Sequence, residues 1–256
     1  MSRIIAIANQ KGGVGKTTTV INLSACLAEA GKKVLTVDMD PQGNSSSGLG
    51  LEKDKLQNNV YQMMIGNSKI RDCLVKSSMK NVDVLPATVH LAGAEVELFG
   101  EQGSQFILKT QLDLIRKEYD YILIDCPPSL NLLTINAMTA ADSVLVPIQC
   151  EYYALEGLSQ LLYTIDLVRK SLNPSLEIEG VVFTMYDART NLSLEVVDNV
   201  KQYLKQKIYK TIIPRNVRLA EAPSHGLPII LYDPRSAGAE SYRKLAKEVI
   251  AYNRKK

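Results

Sequence analysis

Short apolar, β-branched runs alternate with longer stretches of helical periodicity along this chain. The runs Ile4–Ala8, Val34–Val37, Val82–Pro86, Tyr121–Asp125, Ser143–Ile148 and Gly180–Met185 are near-continuously hydrophobic, the pattern of strands covered on both faces. Lys210–Pro214 and Pro228–Tyr232 are shorter candidates. Helical periodicity fills Thr17–Ala30, Gln105–Lys117, Leu155–Leu172, Ser193–Lys207 and Ala239–Asn253, with Gly31 as the stop signal of the first helix. This alternation predicts an α/β fold with a mostly parallel twisted sheet and helices on both faces. No repeat, low-complexity tract or proline-rich linker interrupts it, so a single domain over residues 1–256 is expected. In such sheets ligands sit beyond the carboxyl ends of the strands. The glycine-rich segment after the first strand, Asp38-Met39-Asp40 and Asp125 all fall there.

Composition narrows the classes. At 256 residues, 46% hydrophobic and 22% charged, the chain can bury one large core. The first apolar run is too short for a secretory signal, and no stretch approaches the roughly 20 apolar residues of a membrane helix. The four cysteines, Cys26, Cys73, Cys126 and Cys150, form no C-x-x-C pair, and the histidines are only His90 and His225. That argues against a zinc or iron–sulfur site within one chain and for reduced cysteines in a cytoplasmic protein. The net charge of +3 is unevenly spread: residues 200–256 hold 13 Lys/Arg against 4 Asp/Glu. A basic C-terminal quarter is equally the mark of a polyanion partner and of a solvated lysine-rich helix face.

The glycine-rich segment carries the chemistry. Gln10-Lys11-Gly12-Gly13-Val14-Gly15-Lys16-Thr17 lacks the first glycine of the G-x-x-x-x-G-K-[ST] phosphate loop but keeps the rest, between a strand and a helix. Glycines let backbone N–H groups wrap phosphate oxygens, and the helix N-terminus adds a positive dipole end. Lys16 can reach the β- and γ-phosphates, and the Thr17 hydroxyl can ligate Mg²⁺. A P-loop NTPase is expected, with ATP and Mg²⁺ as cofactors.

Lys11-Gly12-Gly13-Val14-Gly15-Lys16-Thr17-Thr18 resembles the deviant Walker A motif of the ParA/MinD superfamily, whose mark is the second lysine, here Lys11. Val34–Asn44 (VLTVDMDPQGN) is similar to the family's Walker A′ segment, and Tyr121–Ser129 (YILIDCPPS) to its Walker B. Gln149–Gln160, Ile213–Pro223 and Pro228–Arg235 look like the short chromosomal ParA proteins called Soj-like, which carry no N-terminal helix-turn-helix; none is expected here. The resemblance implies a homodimer sandwiching ATP, with Lys11 reaching the partner's nucleotide, Lys16 on the phosphates and Asp40 orienting the attacking water. Thr17, Asp38 and Asp125 would serve the metal. Gly12, Gly13, Val14, Gly15 and Thr18 would complete the phosphate cradle. Pro214 and Asn216 match the family's adenine-holding stretch, and on the residues alone they are as readily an ordinary turn. Arg189 matches a family DNA-binding arginine, with Arg215, Arg218, Arg243 and Lys244 as further candidates. The implied function is DNA partitioning: non-specific binding of nucleoid DNA as an ATP dimer, released when a ParB-type centromere-binding protein stimulates hydrolysis. The rivals are a MinD-like membrane-associated ATPase, a nitrogenase-reductase-like electron carrier, and a small-molecule kinase or ligase. The tail Glu248–Lys256 ends Asn253-Arg254-Lys255-Lys256 and reads as a core-packed helix with a basic end, so stable membrane anchoring is not expected.

Overall fold

The computed structural model describes residues 2–151, 154–187, 189, 195–198, 200–201 and 208–253. Among them eight strands form one sheet: β1 (Arg3–Ile7), β2 (Val34–Asp38), β3 (Val75–Lys76), β4 (Val82–Leu85), β5 (Tyr121–Asp125), β6 (Ser143–Gln149), β7 (Glu177–Tyr186) and β8 (Ile208–Pro214). Their spatial order is β3-β4-β2-β5-β1-β6-β7-β8. Every pairing is parallel except that of β3 with β4. The helices before β7 are α1 (Lys16–Glu29), α2 (Asn44–Gly48), α3 (Val60–Met64), α4 (Leu91–Glu97), α5 (Ile107–Asp113), α6 (Leu132–Ala140) and α7 (Ala154–Ser171), and a long helix, Ala237–Asn253, follows β8.

The continuous apolar strands sort by alternation into two cores. Ile5 and Ile7 of β1 pack with α1 and the helix Ala237–Asn253 on one face. Ile4 and Ala6 pack with α5, α6 and α7 on the other. Both faces are therefore covered, as the uninterrupted hydrophobic runs require. All four cysteines are free and buried. Among the described residues no helix is long and apolar enough to cross a membrane.

Several expectations change. Pro228–Tyr232 is not a strand: after Pro228 the chain makes a single helical turn, Ile229–Tyr232. Its Ile229 N–H donates to Asn22 Oδ1 of α1 at 2.7 Å, so this apolar run serves helix packing instead of the sheet. Gln105–Lys117 is not one helix but the short α5 between two 3₁₀ turns, Ser104–Phe106 and Arg116–Glu118. The sequence pattern does not predict α6, because seven of its nine residues are buried and no polar face remains to set a period. Most of Ser193–Lys207 lies outside the described residues; 195–198 and 200–201 are helical.

Part of the outer edge of β8 is capped by a side chain. Glu248, on the long C-terminal helix, accepts the backbone N–H groups of Lys210 and Thr211, each at 2.9 Å. Nearby, Glu179 of β7 is wholly buried and accepts from Arg3, Ser143, Tyr209 and Asn253. These bonds tie the first strand and the last helix to the sheet and satisfy a charge that would otherwise be costly to bury.

Candidate active site

The strand order sets β1 between β5 and β6. Register then places Ile7 and Asp38 on either side of Asp125. Three loops, following β1, β2 and β5, therefore converge on one edge of the sheet.

The loop after β1 is shaped by its glycines. Gly13 and Gly15 hold φ of 74° and 85°, a left-handed geometry that glycine adopts without strain. A Cβ on Gly12 or Gly13 would meet nothing within 4 Å, so the loop surrounds open space. Gly15 is the N-cap of α1 and contributes no side-chain cap. The first-turn N–H groups of a 14-residue helix are thus left for an anion. Thr184 Oγ1 donates to Val14 O at 2.8 Å and fastens the loop to β7. Lys16 bends back across it, its Nζ donating to Lys11 O at 3.0 Å. Burial pushes the Lys16 ammonium below its usual pKa, while the Asp125 charge opposes that shift. A phosphate would favour the charged form further.

Lys11 is tied down by its own chain. Its N–H donates to Asn9 Oδ1 at 3.0 Å, and its Nζ donates to Glu151 Oε2 at 2.7 Å.

The three aspartates differ in how they are held. Asp38 is fully buried and accepts from Ser46 N at 2.9 Å, Ser46 Oγ at 2.6 Å and Asp40 N at 3.2 Å. Ser46 Oγ in turn accepts from Ala87 N at 3.0 Å. Asp40 is half-buried, and its Oδ1 accepts from Gln42 N at 2.9 Å. Asp125 is fully buried, and neither of its carboxylate oxygens has a well-formed hydrogen bond. Burial, then the Asp38 charge, push its carboxyl well above the carboxylate range, and the adjacent Thr17 hydroxyl offsets this only in part. A buried carboxylate lacking donors fits a divalent cation. The hard oxygens of Thr17, Asp38 and Asp125 suit Mg²⁺, which takes few protein ligands and completes its shell with phosphate and water.

Beside the loop lies a cavity of about 320 Å³ lined by Gly15, Thr18, Thr184, Met185, Pro214 and Asn216, among others. Asn216 Oδ1 accepts from Arg218 N at 2.9 Å, which leaves its amide NH₂ as a donor. Met185 has φ of 50°, strained backbone for a side-chain-bearing residue at a strand end. Thr184 and Met185 are not marked in the sequence as site residues, since only the sheet register brings them here.

The five basic candidates do not form one patch. Arg189, Arg215 and Arg218 follow the ends of β7 and β8, where Arg215 N donates to Tyr186 O at 3.0 Å. Arg189 is exposed and forks onto Asp187 at 2.7 and 2.9 Å, which holds that carboxyl well below its usual range. Arg218 pairs with Glu221 at 2.9 Å and Asp233 at 3.7 Å. Arg215 is exposed and has no salt bridge among the described residues. Arg243 instead grips Glu29, the last residue of α1, at 2.7 and 2.8 Å. That is the far end of a 14-residue helix, about 20 Å from the phosphate loop. Lys244 lies beside Lys210–Ile212 of β8.

The AAA_31 family model, described as an AAA domain, matches residues 2–178. The sporulation initiation inhibitor protein Soj of Bacillus subtilis is 61% identical over 251 residues, covering 98% of this chain and 99% of its own. The chain belongs to the ParA/Soj family of P-loop ATPases. The chromosome partitioning protein ParA of Caulobacter vibrioides is 53% identical, over 98% of this chain and 95% of its own. Among solved structures, cobyrinic acid a,c-diamide synthase from Mycobacterium smegmatis, with bound ADP and magnesium, superposes with a TM-score of 0.88 at 38% identity. It covers 99% of this chain and 96% of its own. The ParA/Soj chain is accordingly an ATPase, and the cradle, the orphaned Asp125 and the adjoining cavity are the places where ATP and Mg²⁺ fit.

Proposed function

We propose that this ParA/Soj-family ATPase partitions DNA. In this reading the chain dimerises around ATP, holds double-stranded DNA without sequence preference while ATP is bound, and lets go when a ParB-type centromere-binding protein stimulates hydrolysis. The observation that carries it is Lys11. The cradle is complete with Lys16 alone, so Lys11 is a surplus cation at the loop's start. It is held by an ion pair whose side chains are 33% and 46% exposed, an arrangement that can open.

In this reading each site residue takes a role. The cradle and Lys16 bind the β- and γ-phosphates, and Pro214 and Asn216 border the adenine. Thr17, Asp38 and Asp125 would hold Mg²⁺, which would neutralise phosphate charge when bound. Asp40 orients the attacking water, and the partner's Lys11 stabilises charge in the phosphoryl-transfer transition state. Arg189, Arg215 and Arg218 meet DNA phosphates. Arg243 and Lys244 lie apart and form a separate basic region. Such a protein is cytoplasmic and nucleoid-associated. A membrane-anchored role is disfavoured, because the helix Ala237–Asn253 commits Ala239, Tyr242, Leu245, Ala246 and Val249 to the core. The test is DNA binding with ATP, with ADP and without nucleotide at two salt concentrations. Equal affinity in all three states refutes the reading, as does lipid replacing DNA as the ATP-dependent surface.

A further inference from the structure

Asp38 accepts three hydrogen bonds, and two of them come from one residue. Ser46 donates its backbone N–H and its hydroxyl to the same carboxylate oxygen, Oδ2, at 2.9 and 2.6 Å. The third donor is the backbone N–H of Asp40, at 3.2 Å from Oδ1. A serine hydroxyl has one proton to give and lone pairs to accept with. Here Asp38 takes the proton, and the oxygen accepts from Ala87 N at 3.0 Å. Ser46 is wholly buried, so water does not compete for either bond.

Ala87, two residues beyond the end of β4, holds α2 a second time. Gly43 is the N-cap of α2, with φ of 61°. It comes so close that a Cβ there would lie 2.8 Å from the Ala87 carbonyl oxygen. Gly43 N in turn donates to Asp40 O at 2.8 Å, and Gln42 N donates to Asp40 Oδ1 at 2.9 Å. Asp40 therefore sits in a tight turn that α2 fixes at both ends. Its N–H is held through Asp38 and Ser46, and its carbonyl through Gly43. The second carboxylate oxygen, Oδ2, is left to accept from a water. The Ser47 hydroxyl, one residue on, instead reaches the start of its own helix, Gly43 O at 3.1 Å and Asn44 O at 3.4 Å.

We infer that Ser46 is a positioning residue for ATP hydrolysis. Its hydroxyl clamps the Asp38 carboxylate to the segment after β4, and Asp38 in turn fixes the backbone of Asp40. The phosphate cradle is fastened separately, by Thr184 of β7. Loss of the Ser46 hydroxyl should therefore slow the chemical step and spare nucleotide binding, since a displacement of about 1 Å in a reacting geometry costs about 10²-fold in rate. Only the naming of Asp40 as the group that orients water rests on the proposed roles; the clamp on Asp38 does not.

The test compares Ser46→Ala with Ser47→Ala. In Ser46→Ala, kcat for ATP should fall about tenfold or more while KM stays within about twofold, and Ser47→Ala should turn over ATP as the wild type does. Hydrogen exchange of the nucleotide-free protein reads the clamp without turnover. In Ser46→Ala it should accelerate in peptides covering residues 38–48 and 86–88 and stay unchanged in β1, β5 and β6. An unchanged kcat, a loss carried by KM, or the same loss in Ser47→Ala overturns the inference. Unchanged exchange at residues 38–48 overturns it too, as does faster exchange across the whole sheet, which would make Ser46 a general support of the fold. Asp40→Ala separates the two readings. If it hydrolyses ATP normally, the role given to Asp40 falls, while the Ser46 clamp is still decided by exchange and by the kcat of Ser46→Ala.

Discussion

Lys11 and Glu151 form a half-exposed ion pair, a class worth about 0–1 kcal/mol. Breaking it to send Lys11 to another nucleotide therefore costs little. Glu151→Gln is expected to lower the protein concentration needed for ATP-driven dimerisation, by up to about thirtyfold if the pair in each of the two protomers contributes ~1 kcal/mol. Lys11→Ala should keep ATP binding by the monomer but lose dimers and turnover. Sedimentation with ATP reads both, and normal dimers with normal turnover in the alanine variant would remove the cross-subunit role. Asp40→Ala should dimerise and stay on DNA without turning over ATP. Asp125 makes a prediction about pH. A carboxyl whose pKa folding raises binds its proton more tightly in the folded chain than in the unfolded one. Its contribution favours the fold at low pH and is lost as pH climbs through the raised value. Without Mg²⁺, Asp125→Asn should melt higher than wild type at pH 8, by about 3 °C for each ~1 kcal/mol in a chain of this size. The gap should narrow towards pH 5, and Mg-ATP should reverse the order. Equal melting at both pH values would show that the buried charge is already compensated.

At the scale of elements, the phosphate loop is held in place by β7 through one bond, from Thr184 Oγ1 to Val14 O. Thr184→Val keeps the shape and removes the donor. A hydrogen bond of this kind contributes about 1 kcal/mol to stability, so melting should drop by about 3 °C and the loosened loop should bind ATP more weakly; titration calorimetry beside a melting curve checks both. The same bond marks the limit of what the sequence discloses. The cradle is legible because its chemistry is local, with consecutive glycines, a lysine and a helix start within eight residues. Asp38, Asp40 and Asp125 are legible because each closes or follows an apolar strand. Thr184 is not legible, because its link to Val14 spans 170 residues and only the pairing of β6 with β7 creates it. α6 is illegible for the opposite reason: burial on nearly all sides erases the period that announces a helix. Pro228–Tyr232 misleads because five apolar residues carry too little pattern to separate a strand from a helical turn.

The whole molecule presents its cations unevenly. Arg189 and Arg218 are already engaged by neighbouring carboxylates, whereas Arg215 between them has no such pairing among the described residues. Arg215→Glu should therefore weaken DNA binding more than reversal of Arg243, which faces Glu29 at the far end of α1. A dimer doubles the phosphate contacts, so the salt dependence should steepen with ATP, by about 0.9 per added contact on a log–log plot. A slope identical with ADP and ATP would mean that dimerisation adds no contacts. A protein that gathers on one polymer must also avoid becoming a polymer. Molecules crowded along DNA meet at high local concentration, where a bare strand edge templates uncontrolled stacking. With Glu248 occupying two N–H groups of β8, part of that edge is closed to an incoming strand. In the proposed partition cycle this carboxylate, far from the nucleotide, keeps loading reversible: Glu248→Ala should leave ATP turnover unchanged while concentrated protein slowly becomes turbid.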